Sequence, residues 1–274
     1  MLWNYFRNNG TFGLAGNLSP FGTTFGDYAA KSPNFMAGFN RYDNTVTYKS
    51  PAFSGFNVYA QYSFGTEPVT NGTEGKSSVD RYYGIGATYK NGPLNAVLIV
   101  DSTNYSTLKY TGDVDDSINV TLGGSYDFGM VKPYVGFQYF DNTLLTQVDS
   151  LAAEDFFGLE DNDRLFGSGY GFTLGADVPA FGGTAKIAAG YLKADVDNQY
   201  TAAVEGGAAA AYGDAAGNGE FDRWGVSVGY NYFFSKRTDV YTVVSYMDET
   251  YKADGMDEVN PSYVEFGVGL RHRF

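Results

Sequence analysis

Residues 263–274 read YVEFGVGLRHRF. Successive side chains of an extended strand point to opposite faces, so Val264, Phe266, Val268, Leu270, His272 and Phe274 share one face, and Tyr263, Glu265, Gly267, Gly269, Arg271 and Arg273 share the other. The first face is almost wholly apolar. In a soluble protein such a strand packs that face on a core, and a frayed polar tail usually follows; here the stretch closes on Phe274. Two readings follow from these residues alone: an edge strand of a soluble sandwich, or a strand whose apolar face meets lipid.

Composition narrows the choice. The 274 residues include 24 Tyr, 22 Phe, 36 Gly and 8 Pro, with no Cys. Tyr and Phe at strand ends form interfacial girdles and Gly lets a curved sheet bend, a profile that suits a membrane β-barrel. Without cysteine there is neither a disulfide scaffold nor a thiolate metal site. A formal net charge of -13 repels phosphates and argues against a nucleic-acid partner. No run of about 18 apolar residues exists, so no helix is expected to span a membrane. The opening MLWNYFRNNG lacks the basic start, apolar middle and small-residue cleavage site of a secretory signal.

One pattern then repeats along the chain. Eleven stretches alternate with period two and carry one apolar face each: 41–49, 55–65, 80–90, 93–102, 116–127, 131–141, 168–178, 184–194, 221–233, 237–248 and 261–274. They are longer than the five or six residues typical of globular strands and match the length that a tilted strand needs to cross a bilayer. In 221–233, Trp224, Val226, Val228, Tyr230 and Tyr232 oppose Arg223, Gly225, Ser227, Gly229 and Asn231. In 131–141, Val131, Pro133, Val135, Phe137 and Tyr139 oppose Lys132, Tyr134, Gly136, Gln138 and Phe140. Small polar residues on the second face fit a wet lumen better than a packed core.

The connections alternate as well. Short turns at 50–55, 90–93, 128–130, 179–183 and 234–237 take turns with long polar loops near 66–79, 103–115, 142–167, 195–220 and 249–260, as in an outer-membrane barrel. Most acidic residues fall in the long loops. They read either as a solvated loop face or as sites where divalent cations bridge to lipopolysaccharide phosphates.

Catalytic chemistry finds little support. The one histidine, His272, lies on the apolar face, away from any nucleophile pattern. The Gly-rich stretch 205–219 precedes a strand, so it makes no phosphate cradle. EDNDRLFGSG (160–169) lacks the spacing of a calcium loop. No enzyme activity, cofactor or metal is expected.

Taken in order, SPFGTTFGDYA (19–29), RYDNTVTYKSPAFSGFNVYAQY (41–62), DRYYGIGATYKNGPL (80–94), FSKRTDVYTVVSY (234–246) and the closing VGLRHRF resemble the general diffusion porins of Gram-negative bacteria, the betaproteobacterial type most of all. The resemblance implies a transmembrane antiparallel β-barrel of sixteen strands in the cell outer membrane, water-filled and passing small hydrophilic solutes and ions by passive diffusion. It implies that residues 1–40 are the third extracellular loop, folded into the lumen after strand five. Residues 41–274 then supply strands six to sixteen, and the signal peptide and first five strands lie outside the chain. It further implies a homotrimer in the full-length protein, contact with outer-membrane lipid and lipopolysaccharide, and a terminal signal (Phe266, Val268, Leu270 and Phe274) read by the barrel-assembly machinery.

For the pore itself, the resemblance implies a constriction in which Asp27 is the acidic group of the inward loop and Arg41, with Asp43, faces it from the wall. Arg223 is a further lumen-facing candidate by parity. The residues leave alternatives open: Asp27 as a turn former after Gly26, and Arg41 with Asp43 as a structural pair. Lys132, Lys186, Arg237, Arg271 and Arg273 lie near short turns and are expected at the periplasmic mouth. Eleven strands alone cannot close up-and-down, since the last would run parallel to the first. A second closure would use 10–18 as a twelfth strand. The rival functions are a non-conducting surface barrel or adhesin that binds a partner through its acidic loops and, more weakly supported, a soluble β-protein.

Overall fold

The computed structural model describes residues 14, 16–22, 27–38, 42–65, 80–106, 115–145, 156, 163–201, 219–253 and 255–272, with the side chains of 163, 164 and 197–201 outside the description. The described residues form one antiparallel sheet of eleven strands, in sequence order throughout. The strands are β1 (Thr45–Lys49), β2 (Phe56–Ser63), β3 (Arg81–Asn91), β4 (Leu94–Asn104), β5 (Ile118–Tyr126), β6 (Lys132–Leu144), β7 (Asp163–Ala180), β8 (Gly183–Thr201), β9 (Gly219–Phe233), β10 (Thr238–Lys252) and β11 (Ser262–His272). Each falls on one of the eleven alternating stretches, and β1 and β11 are the edges of the described sheet.

The short connections all lie at one end of the sheet. Between β7 and β8 the turn is two residues, Phe181 and Gly182, both at positive φ (50° and 78°), the backbone that matches the twist of a hairpin. Between β9 and β10, the Ser235 hydroxyl accepts from the N–H groups of Arg237 and Thr238 at 3.1 Å each and closes the turn without a glycine.

Two boundaries differ from the sequence pattern. β1 begins at Thr45 rather than 41, because Asn44 takes a left-handed conformation (φ 50°) that a strand cannot continue through. β7 and β8 run to 18 and 19 residues, well past the stretches 168–178 and 184–194. At about 3.4 Å per residue such strands are about 60 Å long, twice a hydrocarbon core. Backbone pairing between them continues from Ala180↔Gly183 out to Asp163↔Thr201. Only the lipid-level part needs an apolar face, so alternation marks that part alone.

The two faces of the sheet differ in the way that parity requires. Outward, Val46, Ile85, Leu98, Leu122, Val135, Leu174, Ile187, Val228, Val244 and Val268 are all exposed. An apolar surface so extended is not left to water. Aromatic residues border it at both ends. Near the short turns stand Phe56 with Tyr89 (4.4 Å between centroids), Tyr126 with Phe128 (4.5 Å) and Tyr232 with Phe234 (5.3 Å). Near the long loops stand Tyr62 with Phe64 (4.9 Å) and Trp224 with Tyr246 (5.3 Å). These are the two interfacial girdles of a membrane barrel.

Inward, polar side chains are buried: Asn119, Thr121, Gln138, Thr173, Arg223, Ser227, Ser245 and Glu249 among them. The described residues between 14 and 38 lie on this face. Leu14, Leu18, Phe21, Phe35 and Met36 are 3% exposed or less. The stretch 10–18 supplies no twelfth strand in its described part: Gly16–Leu18 is a turn of 3-10 helix whose Leu18 is buried against the sheet.

Candidate functional site

The segment that lies on the inner face is short of regular structure and therefore has to place its backbone polar groups elsewhere. Within itself, the Ser19 hydroxyl donates to the Ala30 carbonyl at 2.7 Å, and the Asn34 amide donates to the carbonyls of Asp27 (2.7 Å) and Ala29 (2.8 Å). Ser32–Asn34 makes a single 3-10 turn with a proline at its start, where no N–H is needed.

The wall supplies the rest. Gln138 on β6 donates its amide to the Ala37 carbonyl at 3.0 Å, and the Thr173 hydroxyl on β7 donates to the Leu18 carbonyl at 3.0 Å. Lys186 on β8 donates to the Pro20 carbonyl (3.0 Å) while paired with Asp177 (2.8 Å). On β9, Arg223 donates to the Asn34 carbonyl (3.1 Å), and the Ser227 hydroxyl accepts from the Ala30 N–H (2.7 Å). On β11, the two carboxylate oxygens of Glu265 accept from the N–H groups of Asp27 (2.8 Å) and Tyr28 (3.0 Å). The Tyr28 ring stacks on Tyr263 at 4.9 Å, with 9° between planes. Apolar packing completes the contact: Leu14, Leu18 and Met36 cluster with Tyr59, Val97 and Ile99 of β2 and β4.

Three charge pairs on this face cross neighbouring strands. Asp177↔Lys186, Arg223↔Glu249 and Asp239↔Arg271 are direct register partners, and each makes an ion pair. The Arg223 Nε–H donates to Glu249 at 2.7 Å, and the other oxygen of Glu249 accepts from Tyr251 (2.6 Å) and Tyr263 (3.3 Å). A buried guanidinium satisfied in this way is tolerated. On the segment, burial holds the Lys31 ammonium below its usual range, opposed by the nearby carboxylates of Asp27 and Glu265.

The candidate residues from sequence fall as follows. Asp27 is exposed, with its backbone fixed by Glu265 and Asn34. Arg41 lies outside the described residues. Asp43 is exposed and precedes β1, its carbonyl accepting from the Ser63 hydroxyl at 2.6 Å; Asn44 interrupts the alternation that set its parity. Arg223 is on the inner face, 5% exposed, joined to Glu249 and to Asn34 of the segment. Phe266, Val268 and Leu270 are exposed on the outer face of β11, and Phe274 lies outside the described residues. His272 is exposed, its Nδ1 2.9 Å from the Thr238 hydroxyl. Lys186 and Arg271, expected at the mouth, are paired with wall carboxylates, and Lys186 also holds the segment.

Sequence reading assigned no role to Glu265, Gln138, Thr173, Ser227 or Phe35. Parity places Glu265, Gln138 and Ser227 on the polar face, but which backbone group each meets, like that met by Thr173, depends on a segment more than a hundred residues away in sequence.

Eleven antiparallel strands with a lipid-facing outer surface, and an inner surface that seats a non-strand segment, define the wall of a membrane barrel with an inward element. The model of one protein family, described as Gram-negative porin, matches residues 2–252, and the chain belongs to that family of channels. An outer membrane porin protein of Bordetella pertussis is 32% identical over 277 residues, covering 94% of this chain and 64% of that protein. Outer membrane porin protein 32 of Delftia acidovorans is 39% identical over 92 residues, 34% of this chain and 24% of that protein. Among solved structures, an anion-selective porin from Comamonas acidovorans aligns with a TM-score of 0.49 at 22% identity, over 85% of this chain and 60% of that one. The chain thus spans a little under two thirds of the Bordetella relative.

Proposed function

We propose that this chain supplies most of the wall and the narrowing of a water-filled outer-membrane pore through which small hydrophilic solutes and ions diffuse passively. The observation that carries the reading is the segment within residues 14–38, which rests on the inner face of a sheet whose outer face is apolar and girdled by aromatics. A tethered segment inside a barrel reduces its bore and places fixed charge beside the path, the two properties that set selectivity in a pore. Residues 1–40 are the constriction loop and 41–274 correspond to strands six to sixteen of sixteen.

In this reading Asp27 is the acidic group of the narrow zone, with Arg41 and Asp43 on the facing wall. Arg223 acts there as half of a buried ion pair: with Glu249 on it and the Asn34 carbonyl over it, it holds the segment rather than offering a free positive charge to the path. Phe266, Val268, Leu270 and Phe274 serve as the signal for the barrel-assembly machinery. The assembled protein is a homotrimer in contact with lipid and lipopolysaccharide. Planar-bilayer recording on the complete barrel tests the pore: stepwise, voltage-independent insertion events with ohmic conductance are expected. A purified, folded barrel that binds a partner through its acidic loops and gives no steps would replace this reading with that of an adhesin.

A further inference from the structure

We infer that Phe35 is the positioning residue of the inward segment, seated on Gly171, Gly190 and Gly225 of three consecutive strands, and that this seat sets how far the segment stands from the wall. The inference rests on the pore reading above and names the residue that would fix its bore.

Phe35 is fully buried, in a cluster with Phe21, Ala30, Leu192 and Met247. Beneath it, Gly190 on β8 and Gly225 on β9 are register partners, and Gly171 lies on β7. A Cβ on Gly171 would overlap the Phe35 carbonyl, and one on Gly190 would overlap its ring; one on Gly225 would stand 2.9 Å from Cζ. None of the three has a positive φ, so the backbone conformation itself does not call for glycine there. Glycine weakens a strand interior and is retained in strands where another group approaches closely. Space for Phe35 is therefore what these positions provide. The same fit recurs in lesser form where a Cβ on Gly229 would come within 2.8 Å of Phe21. Beside the seat, the Asn34 carbonyl is held by Arg223 at 3.1 Å, so the chain entering Phe35 is fixed to the strand that carries Gly225.

A cysteine reporter reads the seat directly. The chain has no cysteine of its own, and Ser32 is fully buried three residues before Phe35, so Ser32→Cys gives one nearly isosteric buried thiol within the segment. In the complete barrel in lipid vesicles, a small polar maleimide should label it slowly. Phe35→Ala and Gly190→Val should each raise the labelling rate by about tenfold, as expected when a local opening becomes easier. The double variant should label no faster than the faster single one, because the valine then has no ring to displace. Gly267→Val, whose Cβ would meet only Val243 of the wall, should leave the rate unchanged. A slow rate in Phe35→Ala, which creates no clash, would overturn the inference even if Gly190→Val failed to fold. So would effects of the two substitutions that multiply. A seat that passes this test in a barrel that gives no conductance would leave the inference standing and remove the pore reading.

Discussion

The two sides of the wall hold the inward segment by different physics. On the β2–β5 side the contact is apolar, with Leu14, Leu18 and Met36 against Tyr59, Val97 and Ile99. On the β6–β11 side apolar packing of Phe21 and Phe35 with Leu192 and Met247 is joined by directional contact: Gln138, Thr173, Lys186, Arg223, Ser227 and Glu265 each make a hydrogen bond to a backbone group of the segment. Apolar burial is roughly proportional to area and indifferent to small shifts. Hydrogen bonds between 2.7 and 3.1 Å lose most of their strength when displaced by an ångström. The first side therefore contributes adhesion, while the second combines adhesion with the directional contacts that set position, including that of Asp27.

Substitutions should separate these roles. The largest loss is expected for Glu249→Ala, which strands the Arg223 guanidinium in a buried site: about 3–5 kcal/mol of stability, read as a lower unfolding temperature in detergent. Glu249→Gln should cost less, since its carbonyl oxygen can still accept from Arg223 while its amide nitrogen, in place of the second carboxylate oxygen, donates to the tyrosine hydroxyls instead of accepting from them. Next, Leu18→Ala on the adhesive side should cost about 2–4 kcal/mol in the same assay while leaving single-channel conductance nearly unchanged. A large change in conductance there would erase the distinction between the two sides.

Ser227→Ala removes the acceptor for the Ala30 N–H and leaves that donor buried, a loss of about 1–2 kcal/mol. Unlike Leu18→Ala, it should broaden the distribution of open-channel currents. Smallest is Tyr263→Leu, which removes the stack on Tyr28 at about 0.5–1.5 kcal/mol and a long hydrogen bond to Glu249 that Tyr251 also supplies; its signature should be added current noise more than lost stability.

The fold was legible in the sequence to an unusual degree, and the reason is physical. A strand between lipid and a polar interior must alternate over its whole embedded length, so all eleven strands, their order and their faces could be read from residues such as Trp224 against Arg223. What alternation does not encode stayed hidden. The extensions of β7 and β8 stand beyond the lipid, where no alternation is imposed, and the break before β1 comes from the single left-handed residue Asn44. In the site, parity put Arg223 and Glu265 on the inner face but could not say that one pairs with Glu249 and the other holds Asp27 and Tyr28. Nearness to a turn places Lys186 at the mouth; its two partners come from the register with Asp177 and from the path of the segment past Pro20. The inner glycines were visible as glycines, but their meaning required Phe35 on top of them.

If the segment rests on the inner wall in the working barrel, the contact between Ala30 and Ser227, 2.7 Å from N–H to hydroxyl, must persist there. With cysteines at these two positions and none elsewhere, mild oxidation of the complete protein in membranes should link segment to β9 in high yield and leave the single-channel conductance unchanged, since the link only fixes what is already in place. No linkage, or a link that shifts the conductance, would show that the segment works from some other position and would contradict the account.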